Sequence, residues 1–498
     1  MRKQPGGSIE MKLLLQGHEY QYAVEQMLAT LFPGEKPSYT PAGAGENVIC
    51  VRLSTAAKVT TASCTYHKES GVYSGKAAVR NEKLTDPGEK DRLCQYIIKN
   101  AMYRAVRASG LPQPPWGALT GVRPGKLMHA TIRRCGGRED AVSTFMKEYD
   151  VTRTRAELCY ETTLETEKAE KLLSKEDVCL YIGIPFCPTR CSYCSFVSQA
   201  TKKSLQLTDP FLDALFQEIH AISQQIEECG LKTVSVYCGG GTPTTLSALQ
   251  LDRLFSFLEK ELNLRNLREF TVEAGRPDTI TKEKLEILRE HGVGRISVNP
   301  QSMQDSVLEA IGRKHTAAEV LRALEEVRHI GGFAVNMDII AGLPTDSDEG
   351  FRDTLRQILA AEPENITVHT LSLKKGASLK WGDQLPDAEA VGKMLREAYA
   401  RFYPDGYKPY YLYRQKNMSG GFENTGWTKK GYTNLYNIYM MEELCTILSA
   451  GGGASTKLIR PGGGKNLRLT NPKYPLEYIQ QIDSICEEKR KIGEFYEV

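Results

Sequence analysis

Three cysteines, Cys187, Cys191 and Cys194, stand close together in Pro185–Phe196 (PFCPTRCSYCSF), spaced C-x3-C-x2-C. Thiolates are the usual ligands of iron–sulfur clusters. A [4Fe–4S] cube has four irons; three cysteines hold three of them and leave the fourth open to a substrate or cofactor. Pro188 disfavours helix at Cys187, so the segment reads as a loop wrapped around something. Two plainer readings compete. Structural zinc takes four ligands, commonly as paired C-x2-C units, and no second pair or histidine partner stands beside this one. The other is three buried thiols. Four of the remaining cysteines, Cys50, Cys64, Cys179 and Cys238, lie in apolar, strand-like runs and read as small buried hydrophobes.

Further along the chain, other residues suit ligand binding. Cys238–Pro243 (CGGGTP) carries Gly239, Gly240, Gly241 and Thr242. A glycine run lets backbone N–H and C=O groups approach a ligand closely, though taken singly it reads equally as a tight turn. Glu273 sits inside an apolar strand-like run, where a carboxylate needs a partner. Gln301 (NPQSM), Arg313 (EAIGRKH) and Asp338 (NMDIIAGLP) follow in order. Each has a plain reading as a cap, a surface cation or an ion-pair member.

The elements that carry these residues alternate. Six short β-rich runs are Val178–Ile184, Thr233–Cys238, Phe270–Ala274, Arg295–Asn299, Val335–Ile340 and Ile366–Leu373. Helical patterns separate them: Pro210–Glu228, Ala248–Leu262, Lys282–His291, Ser306–Ile311 with Ala317–Ile330, and Gly350–Ala361. Alternation of this kind predicts βαβ units with parallel pairing, and near-continuous apolar strands predict burial on both faces. Six units do not complete an eight-stranded barrel. The expected fold class is therefore α/β, a partial (β/α)6 TIM-like barrel with its ligands at the C-terminal ends of the strands. Before it, residues 1–170 read as a small α+β domain, with strands near Lys12–Gln16, Val48–Leu53 and Lys58–Tyr66, helices near Tyr20–Leu31 and Arg92–Ala108, and a Pro/Gly-rich connector at Leu111–Pro124. The barrel is expected over 171–400. Residues 401–498, rich in Tyr, Gly and Asn, are expected as a small appended domain that covers the barrel mouth.

With these residues in place, C-x3-C-x-aromatic-C, with Tyr193 as the aromatic, resembles the signature of the radical S-adenosylmethionine (SAM) superfamily. The resemblance implies a [4Fe–4S] cluster on Cys187, Cys191 and Cys194 and SAM on the open iron. It also implies one-electron cleavage of SAM to a 5′-deoxyadenosyl radical. The motifs GGGTP, QS, IGR-x-H and D-I-x-x-GLP, over about residues 175–380, resemble the oxygen-independent coproporphyrinogen III oxidase family. That likeness implies SAM contacts from Tyr181, Tyr193, Gly239, Gly240, Gly241, Thr242, Glu273, Gln301, Arg313 and Asp338. Trp116–Lys126 (WGALTGVRPGK) and Tyr410–Asn417 (YYLYRQKN) resemble the family's long Z-type subgroup.

The implied reaction is oxidative decarboxylation of coproporphyrinogen III to protoporphyrinogen IX, with flavodoxin or ferredoxin as electron donor. Tyr413, Arg414, Gln415 and Lys416 are candidates to meet substrate carboxylates. In the established dehydrogenases a fourth cysteine follows two residues after the third. Here Phe196 stands there, an ending that resembles the family's haem-chaperone branch. Two alternatives thus remain: a haem chaperone of the same fold, or a radical SAM enzyme acting on haem itself. A haem carrier wants a His or Cys axial ligand, and His315 and His369 fall in the barrel region.

Composition agrees with an ordinary soluble protein. Among 498 residues, 64 Lys and Arg against 61 Asp and Glu give a formal net charge of +3, with no basic block to suggest nucleic acid or an anionic membrane. No apolar stretch long enough to span a bilayer occurs. The N-terminus, Met-Arg-Lys-Gln-Pro-Gly-Gly-Ser, lacks an apolar signal core. A cytoplasmic location is expected, and in that reducing compartment thirteen cysteines do not form a disulfide framework.

Overall fold

The computed structural model describes residues 11–32, 35–40, 47–84, 86–194, 206–374, 376–379, 385–415, 418–460 and 465–497. The chain divides into two compact units, Met1–Tyr160 with Arg414–Phe422, and Glu161–Tyr413 with Glu423–Val498.

Alternating burial builds the first unit. Its five strands are β1 (Met11–Gln16), β2 (Pro37–Ser38), β3 (Val48–Thr55), β4 (Val59–Lys68) and β5 (Gly71–Arg80), in the order β2-β1-β3-β4-β5. Along β4 every second residue from Thr60 to Tyr66 is buried, as in a sheet with one covered face. β1 pairs in parallel with β2 and β3, whereas β3, β4 and β5 form an antiparallel meander. Helices Gln21–Leu31 and Pro87–Ala108 send Val24, Met27, Ile98 and Met102 into a core shared with Ile49, Val51 and Tyr66. The second helix starts five residues before the apolar spacing suggests. Asp86 caps it by accepting from Glu89 N–H, and Pro87 is pre-set for its first turn. Helices Pro124–Arg134 and Arg138–Tyr149 follow.

The second unit holds one eleven-stranded sheet. Its parallel centre is β6 (Asp177–Ile184), β7 (Lys232–Gly240), β8 (Glu269–Val272), β9 (Arg295–Ser297), β10 (Ala334–Ala341) and β11 (Asn365–Thr370). These are the six runs read from the sequence, and they make the partial α/β barrel. The connecting helices begin where local chemistry sets them. Ser247 with Gln250 and Thr316 with Glu319 form reciprocal capping boxes at the starts of Ala248–Glu261 and Ala317–Ile330.

Residues 401–498 do not form a unit of their own. β12 (Lys408–Tyr413) and β13 (Asn424–Thr428) extend the sheet beyond β11. β14 (Thr446–Gly451) pairs in parallel with β6, and β15 (Ser455–Leu458) and β16 (Leu467–Thr470) follow it, giving β12-β13-β11-β10-β9-β8-β7-β6-β14-β15-β16. Every residue of β14 is buried, the mark of a strand covered on both faces. Composition distinguishes this segment from the barrel, but strand pairing does not. No described helix is long and apolar enough to cross a membrane.

Candidate functional site

The inner face of the sheet at the C-terminal end of β6 is built from small and aromatic residues. Tyr181 lies in register with Tyr237, Gly183 with Gly239, and Ile184 with Gly240. Beyond β6 the chain turns into the cysteine loop. Gly241 N–H donates to Ile184 O and Thr242 N–H to Phe186 O, both at 2.7 Å. A Cβ on Gly241 would lie 2.4 Å from Phe186 O, so only glycine allows this approach. The glycine run therefore buttresses the cysteine loop directly.

Of the three loop cysteines, Cys187 is 8% and Cys191 9% exposed, and Cys194 is half-buried. Polar side chains face the two buried sulfurs. Thr242 Oγ1 is 3.4 Å from Cys187 Sγ, and Arg276 Nη1 is 3.7 Å from Cys191 Sγ. The turn is closed by Cys194 N–H to Cys191 O at 3.2 Å and by Ser192 N–H to Ile311 O at 3.0 Å. A guanidinium donating to a cysteine sulfur suits a sulfur that carries negative charge, as a metal-bound thiolate does. Among the described residues, no three His, Cys, Asp or Glu side chains are gathered tightly enough to enclose a single metal ion.

Arg313 follows the short helix Asp305–Ala310. Its guanidinium donates to Asn299 O at 2.5 Å and to the Tyr193 hydroxyl at 3.5 Å. Burial works against its charge, but Tyr193 and Cys191 beside it hold it protonated. Its Nε is buried with no partner among the described residues. A buried guanidinium nitrogen left open in this way fits an anionic group of a bound ligand.

Glu273 follows β8. Its N–H donates to Cys238 O at 2.9 Å, and its Oε1 accepts from the Tyr237 hydroxyl at 2.6 Å. Burial drives its carboxyl up to about 7 against the Tyr237 hydrogen bond, the nearby Asp338 charge adding to the rise. Tyr237 in turn stacks on Tyr436, with centroids 4.4 Å apart, and on Tyr181 at 6.2 Å. Gln301 adopts a left-handed backbone, φ +68°, unusual for a residue with a side chain. That twist lets its N–H donate to Asp338 O while its carbonyl accepts from Ile340 N–H. Asp338, on β10, takes 2.7 Å contact from Asn336 Nδ2 and lies 3.7 Å from His369 Nε2. Burial would raise its carboxyl, but His369, Asn336 and Thr367 hold it below the ordinary range.

The structure thus gathers the expected residues into two neighbourhoods. Thr242, Tyr193 and Arg313 join the cysteines; Tyr181, Gly239, Glu273 and Asp338 join the inner face, where a Cβ on Gly239 would meet Glu273. Arg276, Tyr237 and Tyr436 were not anticipated as site residues, and His369, weighed as a haem ligand, lies beside Asp338. The signal for Arg276 was available: an arginine in EAGRPD directly after the β-rich run Phe270–Ala274 that includes Glu273. The substrate-side candidates divide. Tyr413 stacks on Tyr411 with its own charge disfavoured by burial and by Asp338. Arg414 is spent within the first unit, on the carbonyls of Leu119, Gly121 and Gly421 and over the Trp116 ring. Gln415 N–H meets the Met418 sulfur. Lys416 and Phe196 lie outside the described residues. Of the thiols expected as hydrophobes, Cys64, Cys179 and Cys238 are buried and pushed upward by that burial, and Cys50 is only half-buried.

Residues 181–358 match the profile of the radical SAM superfamily. HemZ of Bacillus subtilis, an oxygen-independent coproporphyrinogen-III oxidase-like protein, is 39% identical over 382 residues, 76% of this chain and 76% of its own. The heme chaperone HemW of Haemophilus influenzae is 29% identical over 313 residues, 62% of this chain and 77% of its own. The solved structure of coproporphyrinogen III oxidase (HemN) from Escherichia coli superposes with a TM-score of 0.50 at 23% identity, over 65% of this chain and 73% of that one, and shares the fold. The chain belongs to the radical SAM superfamily and, within it, to the family of the oxygen-independent coproporphyrinogen-III oxidase-like HemZ proteins.

Proposed function

We propose that this protein is a radical SAM oxidoreductase of tetrapyrrole metabolism, with coproporphyrinogen III as substrate and protoporphyrinogen IX as product. The observation that carries the reading is the convergence on Cys187 and Cys191 of polar side chains from the ends of the neighbouring strands, the Thr242 hydroxyl and the Arg276 guanidinium. Cys187, Cys191 and Cys194 would hold a [4Fe–4S] cluster. When bound, the cluster and SAM supply the adenosyl radical that removes hydrogen from a substrate propionate. The chain's own residues do the rest. Arg313 offers a fixed cation beside the cysteine loop for the SAM carboxylate. The glycine run Gly239–Gly241 leaves room for SAM to lie against backbone. Tyr181, Tyr237 and Tyr436 present an aromatic inner wall suited to flat, apolar ligand surfaces. Glu273, with its carboxyl near 7, can accept or release a proton within that wall. A flavodoxin or ferredoxin would deliver the electron.

A haem-carrier role is the second reading, supported by the likeness to HemW proteins. Against it, His369 lies 3.7 Å from Asp338, and His315 is 3% exposed, although neither of its ring nitrogens has a hydrogen-bond partner among the described residues. One anaerobic experiment separates the readings: reduced, reconstituted protein is incubated with SAM and either coproporphyrinogen III or haem, and the pigments are analysed. A vinyl-bearing product with release of CO2 supports the decarboxylase. Stoichiometric haem retention without turnover supports the carrier, and a linear tetrapyrrole supports ring opening; either result overturns the proposal.

A further inference from the structure

Arg276 stands just past β8 and is 3% exposed, yet every arm of its guanidinium is used. Nε meets Asp278 Oδ1 at 3.2 Å, within its own turn. Nη2 donates to Thr189 Oγ1 at 2.6 Å, and Nη1 reaches Cys191 Sγ at 3.7 Å. Two of these partners lie in the cysteine loop. The planar fork thus grips that loop at two points from a neighbouring strand, while Asp278 fixes its orientation. A lysine ammonium cannot reproduce three fixed directions. Arg313 is the second cation acting on Cys191.

A buried N–H···S bond from a cation favours the form of a cluster that carries more negative charge. Reduction adds one electron, so such a bond makes reduction easier. We propose that Arg276 is a positioning residue that sets the reduction potential of the cluster through Cys191. This rests on the cluster reading above.

The test is a redox titration of the anaerobically reconstituted full chain, with the reduced cluster followed by electron paramagnetic resonance and iron counted independently. Arg276→Met should keep four irons while its midpoint moves to more negative potential. The expected shift lowers the ratio of reduced to oxidised cluster at least tenfold at a fixed poise, which is 59 mV for a one-electron couple. Arg276→Lys should fall between. Thr189→Val, which loosens the loop but leaves the sulfur contact, should leave the midpoint in place. A four-iron Arg276→Met protein with the parental midpoint overturns the inference. So does loss of iron from both Arg276 variants with Thr189→Val intact, which assigns Arg276 to loop folding alone. A parent chain that binds no four-iron cluster instead sinks the cluster reading itself, and the inference with it.

Discussion

A thiol that accepts from a buried guanidinium is set up to carry negative charge, and Cys191 is such a thiol. Cys191→Ser should abolish both iron retention and 5′-deoxyadenosine formation; a variant that still cleaved SAM would show that the cluster lies elsewhere. Glu273 makes a second residue-scale prediction. Unfolding returns its carboxyl from about 7 to its ordinary value of 4.5, so between these values the native chain binds the extra proton. The stabilisation is complete below pH 4.5 and is lost as pH rises through 7. The cofactor-free protein should therefore resist urea better at pH 5.5 than at pH 8, by at most about 2 kcal/mol from this group. Glu273→Gln should flatten that slope, and an unchanged slope would show that the carboxyl is not the source. The cysteines, Glu273 and Asp338 were readable because charged or sulfur-bearing types interrupt apolar runs. Tyr237 and Tyr436 were not, because a tyrosine in a strand reads as core until its neighbours are known.

At the scale of elements, the helix Thr208–Glu228 carries a carboxylate into the interior. Glu218 is wholly buried and meets Lys489 Nζ at 2.7 Å, Asn471 Nδ2 at 2.7 Å and Gly451 N–H at 2.8 Å, with the Tyr478 hydroxyl as a fourth donor. The network ties the C-terminal helices to a barrel helix and to the end of β14. That end is itself tight, since a Cβ on Gly451, at φ +102°, would lie 2.1 Å from Gly183 O on β6. Removing one partner of a buried ion pair costs about 3–5 kcal/mol, because the other charge is left unpaired. Lys489→Met should lower unfolding stability by that order in urea titration, and the added change Glu218→Gln should recover part of it. No periodicity announces this pair, whose members are 271 residues apart in sequence (489 minus 218). The capping boxes at Ser247 and Thr316, by contrast, are four-residue patterns and can be read directly.

At the scale of the molecule, the barrel has no end at residue 400. β13 covers the edge of β11 and β14 covers the edge of β6. A chain truncated at residue 400 would expose both edges, and unpaired edges of long apolar strands drive aggregation. Such a chain should form aggregates on size-exclusion chromatography, whereas the full chain elutes as a discrete species. A discrete, folded truncated barrel would show that the added strands are dispensable. The first unit likewise draws on distant sequence, since Arg414–Phe422 packs within it through Arg414 N–H to Val122 O at 2.9 Å.

By itself the sequence determined the three-cysteine loop, the six parallel strands with their helices, and the order in which Thr242, Glu273, Gln301, Arg313 and Asp338 arise. These follow from spacing, from apolar runs and from local capping, all of which act over a few residues. Tertiary structure alone decided which strands border β6 and β11, that Arg414 is consumed by backbone carbonyls, and that Arg276 rather than a loop neighbour reaches Cys191. Those outcomes depend on strand pairing and on the direction of long side chains across an interior, and neither leaves a periodic trace along the chain.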